Sequence, residues 1–302
     1  MSILSIAQAT RGFWDESLVR TIVCTAPGEP EIARFTKFEN NETILSLTEV
    51  VNCWRKHEVL LHIPEVYVQP TLDWLEMQST PRDLRINILL QNVDHAPSSA
   101  QVRALCAYGS ITCTTAHEAY STNAMSRELG CEVTHISVAA DPFDYVQTDF
   151  SRKRKLVVYS PDMVADKRTV IAALAASLGE YKFVEIFDLS YSQYRELIGG
   201  ARYSLTFGEG LDFYFAETIY SGGIGAAVYN DRFFTSSFET LPFIYTSWND
   251  LVKRFPSDVR RCENRSEYER AHNKQFGLLA TIYSRDDFLS KLERFYSSVY
   301  DS

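Results

Sequence analysis

Two glutamates eight positions apart, Glu209 and Glu217, are the residues whose type and spacing point most clearly to chemistry. Glu209 follows a predicted strand, and Gly208 and Gly210 flank it, so the backbone there can approach a ligand closely. Glu217 lies in the predicted helix that follows, whose first N–H groups can hold an anion or a sugar oxygen. Both carboxylates can therefore address one polar ligand. The alternative is a solvated helix face, because glutamates at this spacing are common.

The stretch from Phe207 to Gly222 resembles the E-x7-E element of the retaining nucleotide-sugar glycosyltransferases of the GT-B fold. In that family the first glutamate contacts hydroxyls of the donor sugar, the amides after it hold sugar and phosphate, and the second glutamate accepts the ribose hydroxyls. The resemblance implies a catalytic role for Glu209. It also implies that the donor is bound by Gly210, Leu211, Asp212 and Glu217.

Two further segments carry the same resemblance. The segment from His135 to Phe143 is similar to the strand and turn that leave the family's amino-terminal domain. The segment from Val157 to Arg168 is similar to the first strand and phosphate loop of its donor domain. The resemblance implies an α/β fold of two Rossmann-like domains whose parallel sheets face a central cleft.

Lys167 and Arg168 are the candidates for holding the phosphates of a donor. A departing diphosphate needs cations because negative charge builds up on it as its bond to the sugar breaks. Both residues stand near the start of a predicted helix, and arginine can make bidentate contacts. The alternative is that Lys167 and Arg168 are simply a pair of surface side chains that bind no phosphate. The chain departs from the family at Ser160-Pro161-Asp162, where an arginine is usual, and at Asp212, where glycine is usual.

Polar residues also follow the predicted strands of the amino-terminal half. His95 and Asp94 come after one strand, and His62 and Glu65 lie at the end of another. Family members often have a histidine near the reacting sugar, so the resemblance makes His95 a catalytic candidate and the other three acceptor-side candidates. The alternative for a loop histidine is a solvated side chain. The family's glycine-rich loop near the amino terminus is not clearly present in this sequence. Gly28 is its only visible substitute.

From residue 59 onward short apolar runs alternate with amphipathic stretches, which predicts β-α-β units and parallel sheets. Right-handed crossovers put the carboxyl ends of all strands at one edge, where ligands bind. The predicted strands are Val59–Ile63, Arg85–Gln91, Ser110–Thr115, Glu132–Val138, Leu156–Tyr159, Lys182–Phe187, Arg202–Phe207 and Gly225–Tyr229. The predicted helices are Ala116–Leu129, Lys167–Leu178, Ser192–Ile198, Phe213–Tyr220 and Asp286–Tyr300. Before residue 59 we expect strands at Ile3–Ile6 and Thr21–Thr25 and a helix at Ile44–Trp54.

A basic run from Ser151 to Lys155 interrupts this alternation. We expect a domain boundary there, between an acceptor-binding domain at 1–150 and a donor-binding domain for the nucleotide sugar at 151–302. The terminal amphipathic helix is able to cross back to the first domain.

Composition narrows the class of protein. The chain has 30 Lys and Arg against 39 Asp and Glu, a net charge of −9, which is the wrong sign for a nucleic-acid binder. No run approaches the ~18–20 apolar residues of a membrane helix. We expect a cytoplasmic protein, with peripheral contact at the inner face of the membrane as a further expectation.

The six cysteines form no C-x-x-C pair and predict buried free thiols. No metal or dinucleotide motif is present, so no metal or cofactor is expected.

The sequence therefore predicts a glycosyltransferase of the hexosyl or deoxyhexosyl type. Its partners are a nucleoside-diphosphate sugar as donor and a glycan or lipid-linked glycan as acceptor, in cell-surface polysaccharide synthesis. Retention of anomeric configuration is implied by the resemblance. A non-catalytic GT-B-like nucleotide-binding or accessory subunit is the alternative, favoured by Ser160-Pro161 and Asp212. A nucleotide-sugar epimerase is the third hypothesis.

Overall fold

The computed structural model describes residues 2–15, 18–25, 36–37, 44–47, 49–50, 57–78, 83–137 and 142–300. The chain divides into two compact units. The amino-terminal unit contains residues 1–31, 40–139 and 285–302, and the carboxyl-terminal unit contains 32–39 and 140–284. The basic run predicts a division after residue 150; the structure divides the chain near 139 and again at Arg285. Gly28 and residues 138–141 lie outside the described residues.

The elements up to residue 137 alternate as β-α-β units from β4 onward. In chain order they are α1 (Ser2–Phe13), β1 (Val23–Thr25), β2 (Thr36–Lys37), β3 (Ile44–Ser46), β4 (Leu60–Pro64), α2 (Val68–Met77), β5 (Leu84–Leu90), α3 (Ser99–Leu105), β6 (Gly109–Thr115), α4 (Asn123–Leu129) and β7 (Val133–His135).

A four-stranded, all-parallel sheet in the order β4-β5-β6-β7 forms the centre of the amino-terminal unit. Ile86 and Ile88 on one face of β5 and Asn87 and Leu89 on the other are all buried, because a central parallel strand is covered on both faces. Trp74 on α2 and Leu105 on α3 belong to the same apolar core. The four strand predictions for this region are confirmed, with β7 shorter than expected.

One prediction near the amino terminus is wrong, and another is confirmed only in part. Residues Ile3–Ile6 belong to helix α1, because Ile6 and its helical neighbours pack against the terminal helix. A short apolar run does not distinguish a strand from a buried helix face. The predicted helix Ile44–Trp54 is confirmed in part: residues 44–46 form strand β3, which pairs in parallel with β1, and residues 47, 49 and 50 are helical. Residues 51–54 of that prediction lie outside the described residues.

The helix predicted at Ala116–Leu129 is broken in two. Residues Glu118–Tyr120 form a single 3-10 turn, and α4 begins only at Asn123. The Thr122 hydroxyl accepts a hydrogen bond from the Met125 amide at 3.1 Å and caps α4. The predicted stop at Gly130 is confirmed, with φ at +77°.

The carboxyl-terminal unit continues the alternation. Its elements from residue 142 onward, with the terminal helix that belongs to the other unit, are β8 (Arg154–Tyr159), α5 (Lys167–Ser177), β9 (Lys182–Glu185), β10 (Leu189–Ser190), α6 (Tyr191–Gly200), β11 (Ala201–Thr206), α7 (Phe213–Tyr220), β12 (Ile224–Val228), β13 (Ile244–Tyr245), α8 (Trp248–Arg261), α9 (Arg265–Ile282) and α10 (Arg285–Tyr300).

A five-stranded parallel sheet in the order β13-β12-β11-β8-β9 forms the centre of this unit. Alternate residues of β8 point to opposite faces: Val157 packs with helices α5 and α8, whereas Leu156 and Val158 pack with α6. The four predicted strands and three crossovers are confirmed. The structure adds β13 at the edge and a short parallel pair between β2 and β10.

Two further findings concern the described part of the chain. None of its helices has the length and apolar character needed to cross a membrane. Its cysteines are free thiols: Cys113 and Cys262 are buried, Cys24 and Cys131 are half-buried, and Cys106 is exposed.

Gln275 on α9 binds the backbone of β12 at Gly225, before the two residues of β12 that pair with β13. Its amide oxygen accepts from the Gly225 N–H at 3.0 Å, and its amide nitrogen donates to the carbonyl oxygens of Gly225 and Pro242 at 2.7 and 2.8 Å. The side chain is fully buried. One side chain thus satisfies three buried backbone groups.

We predict that Gln275→Leu lowers the free energy of unfolding by about 2–4 kcal/mol, because leucine leaves those backbone groups unsatisfied. Urea titration followed by circular dichroism measures the loss. Lys274→Leu, at the exposed neighbouring position, is the control and changes stability little. Equal midpoints for the two variants would contradict this role of Gln275.

Candidate functional site

The loop between β11 and α7 lies at the carboxyl edge of the five-stranded sheet. Gly208 and Gly210 have φ of +66° and +79°, the left-handed region that favours glycine. A methyl group at Gly210 would lie 2.7 Å from the ring of Phe234. The Thr206 hydroxyl donates to the Gly210 carbonyl at 2.6 Å, and the Phe207 amide donates to Ser160 Oγ at 2.9 Å. The loop that presents Glu209 is therefore held rigidly.

Three carboxylates come together at this loop. Asp212 caps α7 by accepting from the Phe215 amide at 2.9 Å. Burial raises its pKa well above the usual range, and the negative charges of Asp162 and Glu209 add to the shift. Asp162 lies beside Gly208 and accepts a hydrogen bond from the Ser160 hydroxyl at 2.6 Å. The resemblance assigns Asp212 to donor binding, and the structure uses its side chain as the helix cap.

Glu217 is buried inside the unit, with 2 % of its surface exposed. Its two carboxylate oxygens accept hydrogen bonds from the hydroxyls of Tyr145, at 2.7 Å, and Tyr194. Burial raises the pKa of Glu217, and the two tyrosine hydrogen bonds oppose that shift. Both oxygens of the Glu217 carboxylate are therefore already engaged by tyrosine hydroxyls. The donor-binding assignment of Glu217 stays a prediction.

Lys167 is the buried cation of this edge. Its ammonium group donates to the Asp162 carbonyl oxygen at 3.1 Å and forms an ion pair with Glu185. The same group lies 5.4 Å from the ring centre of Tyr159, within cation–π distance. Arg168, the next residue on α5, is exposed. The structure therefore brings Lys167 to the edge that carries Glu209 and leaves Arg168 at the surface of α5.

A cavity of about 370 Å³ opens beside the glycine loop. Its walls come from the ends of β11 and β12 and the start of α8. The residues that matter for its chemistry are Gly208, Gly210, Tyr229, Asn230, Asp231 and Trp248. The sequence alone did not single out the last four, although Asn230 and Asp231 directly follow the predicted strand Gly225–Tyr229 and so carried the signal of an edge position.

In the amino-terminal unit, Glu65 organises the loop after β5. The buried carboxylate accepts hydrogen bonds from the Gln91 and Asn92 amides at 3.1 and 2.9 Å. Burial raises its pKa. Asp94 and His95 follow on a single 3-10 turn and are both exposed. Glu65 thus positions the turn that presents the two candidates.

His62 is engaged in a chain of hydrogen bonds. Its Nδ1 lies 3.1 Å from the Asn87 amide nitrogen, which can only donate, so Nδ1 is the acceptor. The neutral ring then carries its proton on Nε2, 3.2 Å from the Tyr296 hydroxyl. Tyr296 lies 2.7 Å from the Thr10 hydroxyl, which donates to the Ile6 carbonyl. Burial lowers the pKa of His62 to about 4. This ring joins β4 to helices α10 and α1.

The comparisons with known proteins identify the fold. No family model and no curated protein matches the chain. Among solved structures, Anabaena Alr3699/HepE in complex with UDP and glucose has a TM-score of 0.55 at 10 % identity, over 84 % of this chain and 81 % of that one. Accessory secretory protein 1,2 and 3 of Streptococcus pneumoniae has a TM-score of 0.50 at 12 % identity, over 83 % of this chain but 56 % of that one.

At these identities the likeness concerns the fold. The chain is an α/β protein with parallel sheets in two units, and its fold matches structures of the GT-B fold. It spans just over half the length of the matched accessory secretory protein chain.

We predict that Tyr194→Phe and Tyr145→Phe each lower the free energy of unfolding by about 1–3 kcal/mol, because each leaves one oxygen of a buried carboxylate without a donor. Tyr214→Phe is the matched control, since the structure gives its hydroxyl no hydrogen bond within the described chain. Thermal and urea unfolding measure all three. A Tyr194→Phe protein as stable as Tyr214→Phe would contradict the account of Glu217.

We predict that acid destabilises the amino-terminal unit through His62. The folded pKa of about 4 lies below the ordinary 6.5, so the unfolded chain takes up the proton first and stability falls as the pH drops from 6.5 toward 4. His62→Gln should lose about 1–2 kcal/mol less than the parent between pH 7 and 5. His57→Gln, at an exposed histidine, is the control. Parallel pH profiles for the parent and His62→Gln would refute this role.

Proposed function

We propose that this chain is a glycosyltransferase that moves a sugar from a nucleoside-diphosphate sugar to a glycan or lipid-linked glycan acceptor, with retention, in cell-surface polysaccharide synthesis. One observation carries the proposal: a glycine-flanked carboxylate, Glu209, stands on a rigid loop at the carboxyl edge of a parallel sheet, beside a cavity of about 370 Å³. Ligands of open α/β sheets bind at this edge. The match to the Anabaena protein in complex with UDP and glucose agrees with it.

Lys167 is the group that stabilises the leaving diphosphate in this proposal. It belongs to α5, which follows β8, and β8 pairs directly with β11, the strand that leads to Glu209. Its ion pair with Glu185 fixes the ammonium group in a buried position. Negative charge that develops on a leaving group is stabilised most strongly by a cation already fixed in place. Arg168 supplies a second, exposed cation for the outer phosphate.

Glu209 orients the donor sugar. A carboxylate accepts hydrogen bonds from two neighbouring hydroxyls, and the rigid glycine loop removes the entropy cost of placing it. The backbone of Gly210 and Leu211 approaches the ligand from the same loop. Glu217 and Asp212 act as positioning residues, because Glu217 holds two tyrosines and Asp212 caps α7.

The acceptor belongs to the amino-terminal unit in this proposal. His95 contacts the reacting sugar, and Asp94 beside it binds acceptor hydroxyls, because both are exposed on the turn after β5. Glu65 and His62 act as positioning residues for these two. Glu65 binds the backbone that leads into this turn, and His62 holds β4 against α10.

A non-catalytic accessory subunit is the second candidate. It is favoured by the Asp162 carboxylate beside the loop, which repels a diphosphate, and by the two tyrosines that cover Glu217. Such a subunit would bind a sugar or nucleotide without transferring it. The match to the accessory secretory protein agrees with this candidate as well.

Thermal shift against UDP, GDP, dTDP, CMP and their sugars tests both candidates, because a ligand of the native state raises the melting temperature. We expect one nucleotide family to give a shift and Lys167→Ala to weaken its affinity about tenfold to a hundredfold. Lys182→Ala, an exposed lysine at the opposite edge of the sheet, should bind normally.

Glu209→Gln should bind the nucleotide with near-parental affinity and lose transfer, while Glu180→Gln keeps both. Nucleotide release coupled to an acceptor extract is the readout. Binding without any turnover by the parent protein supports the accessory subunit; the absence of binding to every nucleotide would contradict the glycosyltransferase.

A further inference from the structure

Two cysteines of the amino-terminal unit lie next to each other, although helix α4 separates them in the sequence. Cys113 is buried in strand β6, and Cys131 follows the end of α4 and is half-buried. The Cys113 amide donates to the Glu132 carbonyl at 3.1 Å, so the chain after α4 runs alongside β6. Cys113 pairs in register with Val133, and both belong to the apolar core against which Cys131 packs. The two thiols thus lie on the same side of the sheet.

Hydrogen bonds fix the turn that carries Cys131. Helix α4 ends at Gly130, whose amide donates to the Ser126 carbonyl at 2.9 Å. The Ser126 hydroxyl accepts from the Val133 amide at 3.1 Å, and the Ser121 hydroxyl donates to the Val133 carbonyl at 3.1 Å. The backbone is therefore anchored on both sides of Cys131, which holds this residue beside β6.

The two thiols are hydrogen-bonded to each other, with the Cys113 S–H as the donor and the Cys131 sulfur as the acceptor. This bond raises the pKa of Cys113 and lowers the pKa of Cys131, because it stabilises a Cys131 thiolate beside a protonated Cys113. Burial raises the pKa of Cys113 further and opposes the shift at Cys131. The thiolate is the nucleophile of thiol–disulfide exchange. Cys131, the more accessible of the two, is therefore placed to react first and Cys113 second.

We propose that Cys131 and Cys113 form a redox-modification site, which a low-molecular-weight disulfide such as oxidised glutathione converts into a disulfide that locks the loop between β6 and β7. The Cys131 thiolate attacks one sulfur of the small disulfide, which gives a mixed disulfide and releases one small thiolate. Cys113 then gives up its proton and attacks the Cys131 sulfur, which releases the second small thiolate. The two leaving thiolates take up protons. Both protein thiols are oxidised, and one small disulfide is reduced to two thiols.

The disulfide closes a loop that contains the 3-10 turn Glu118–Tyr120 and helix α4. Local opening of this loop frees the turn after α4 from β6, and a covalent bond between Cys113 and Cys131 opposes that separation. The site goes beyond the proposed function, because it needs neither a nucleotide nor a sugar.

Peptide mapping of the full chain by mass spectrometry tests the proposal, after the folded, reduced protein has reacted with oxidised glutathione. Trypsin releases Cys131 in peptide 128–152, but it releases Cys106 and Cys113 together in peptide 104–127. Cys106, which is exposed at the end of α3, is therefore replaced in a Cys106→Ser parent. We expect the two peptides joined by a disulfide and two hydrogens lighter than their sum. Amide exchange in residues 116–130 should slow about threefold to tenfold in the joined form.

Two variants of this parent assign the order of reaction. In Cys113→Ala, which keeps a small apolar residue in the core, Cys131 should stop at the mixed disulfide with glutathione. In Cys131→Ala, Cys113 should remain a free thiol because it is buried. The joined peptides of the Cys106→Ser parent keep the test valid if Cys113→Ala unfolds.

Four results would overturn the proposal: no joined peptides from the folded parent, joined peptides only after unfolding in urea, reaction of Cys113 with glutathione in folded Cys131→Ala, or equal exchange in the joined and reduced proteins. None of these results bears on nucleotide binding or sugar transfer. Failure of the glycosyltransferase proposal likewise leaves the cysteine site standing.

Discussion

Parallel pairing of β11 with β8 on one side and β12 on the other is the constraint on which the carboxyl-terminal unit depends. The register pairs Leu205 with Tyr159 and Thr206 with Ala227, so the three strands β8, β11 and β12 end at the same edge of the sheet. The loops that follow these strand ends carry Asp162, Glu209 and Asn230, each within a few residues of its strand. Any change of register would carry these groups apart, because each crossover returns the next strand in the same direction.

Rigidity at this edge is obtained at a local cost. The two glycines of the loop adopt left-handed backbone angles, and Glu217 is a buried carboxylate that burial alone would destabilise. The tyrosine hydroxyls compensate for that burial and tie the segment before β8 to α6 and α7. The same arrangement removes Glu217 from the surface. A glutamate that stands out in the sequence thus serves, in the structure, to hold two tyrosines in place.

A structural feature could be predicted from the sequence where a local pattern of residues determines it, and could not where it depends on residues far apart in the sequence. The strands β8, β11 and β12 were predictable because continuous apolar runs between helices indicate buried parallel strands. Strand β13 has two residues and helix α1 begins with an apolar run, so local pattern was insufficient for both. The loop of Glu209 could be placed from glycines and spacing. The tyrosine partners of Glu217, 72 and 23 positions away in sequence, depend on tertiary packing that no local pattern encodes.

The carboxyl edge of the five-stranded sheet is the proposed binding site of the sugar nucleotide. Hydrogen–deuterium exchange, measured with and without each nucleotide sugar, tests it directly, because bound ligand slows the opening of the backbone that it contacts. We predict slower exchange in two segments, 207–213 and 229–232, with the donor that this protein uses. Protection confined to the amino-terminal unit, or unchanged exchange in both segments with every nucleotide sugar, would contradict the claim.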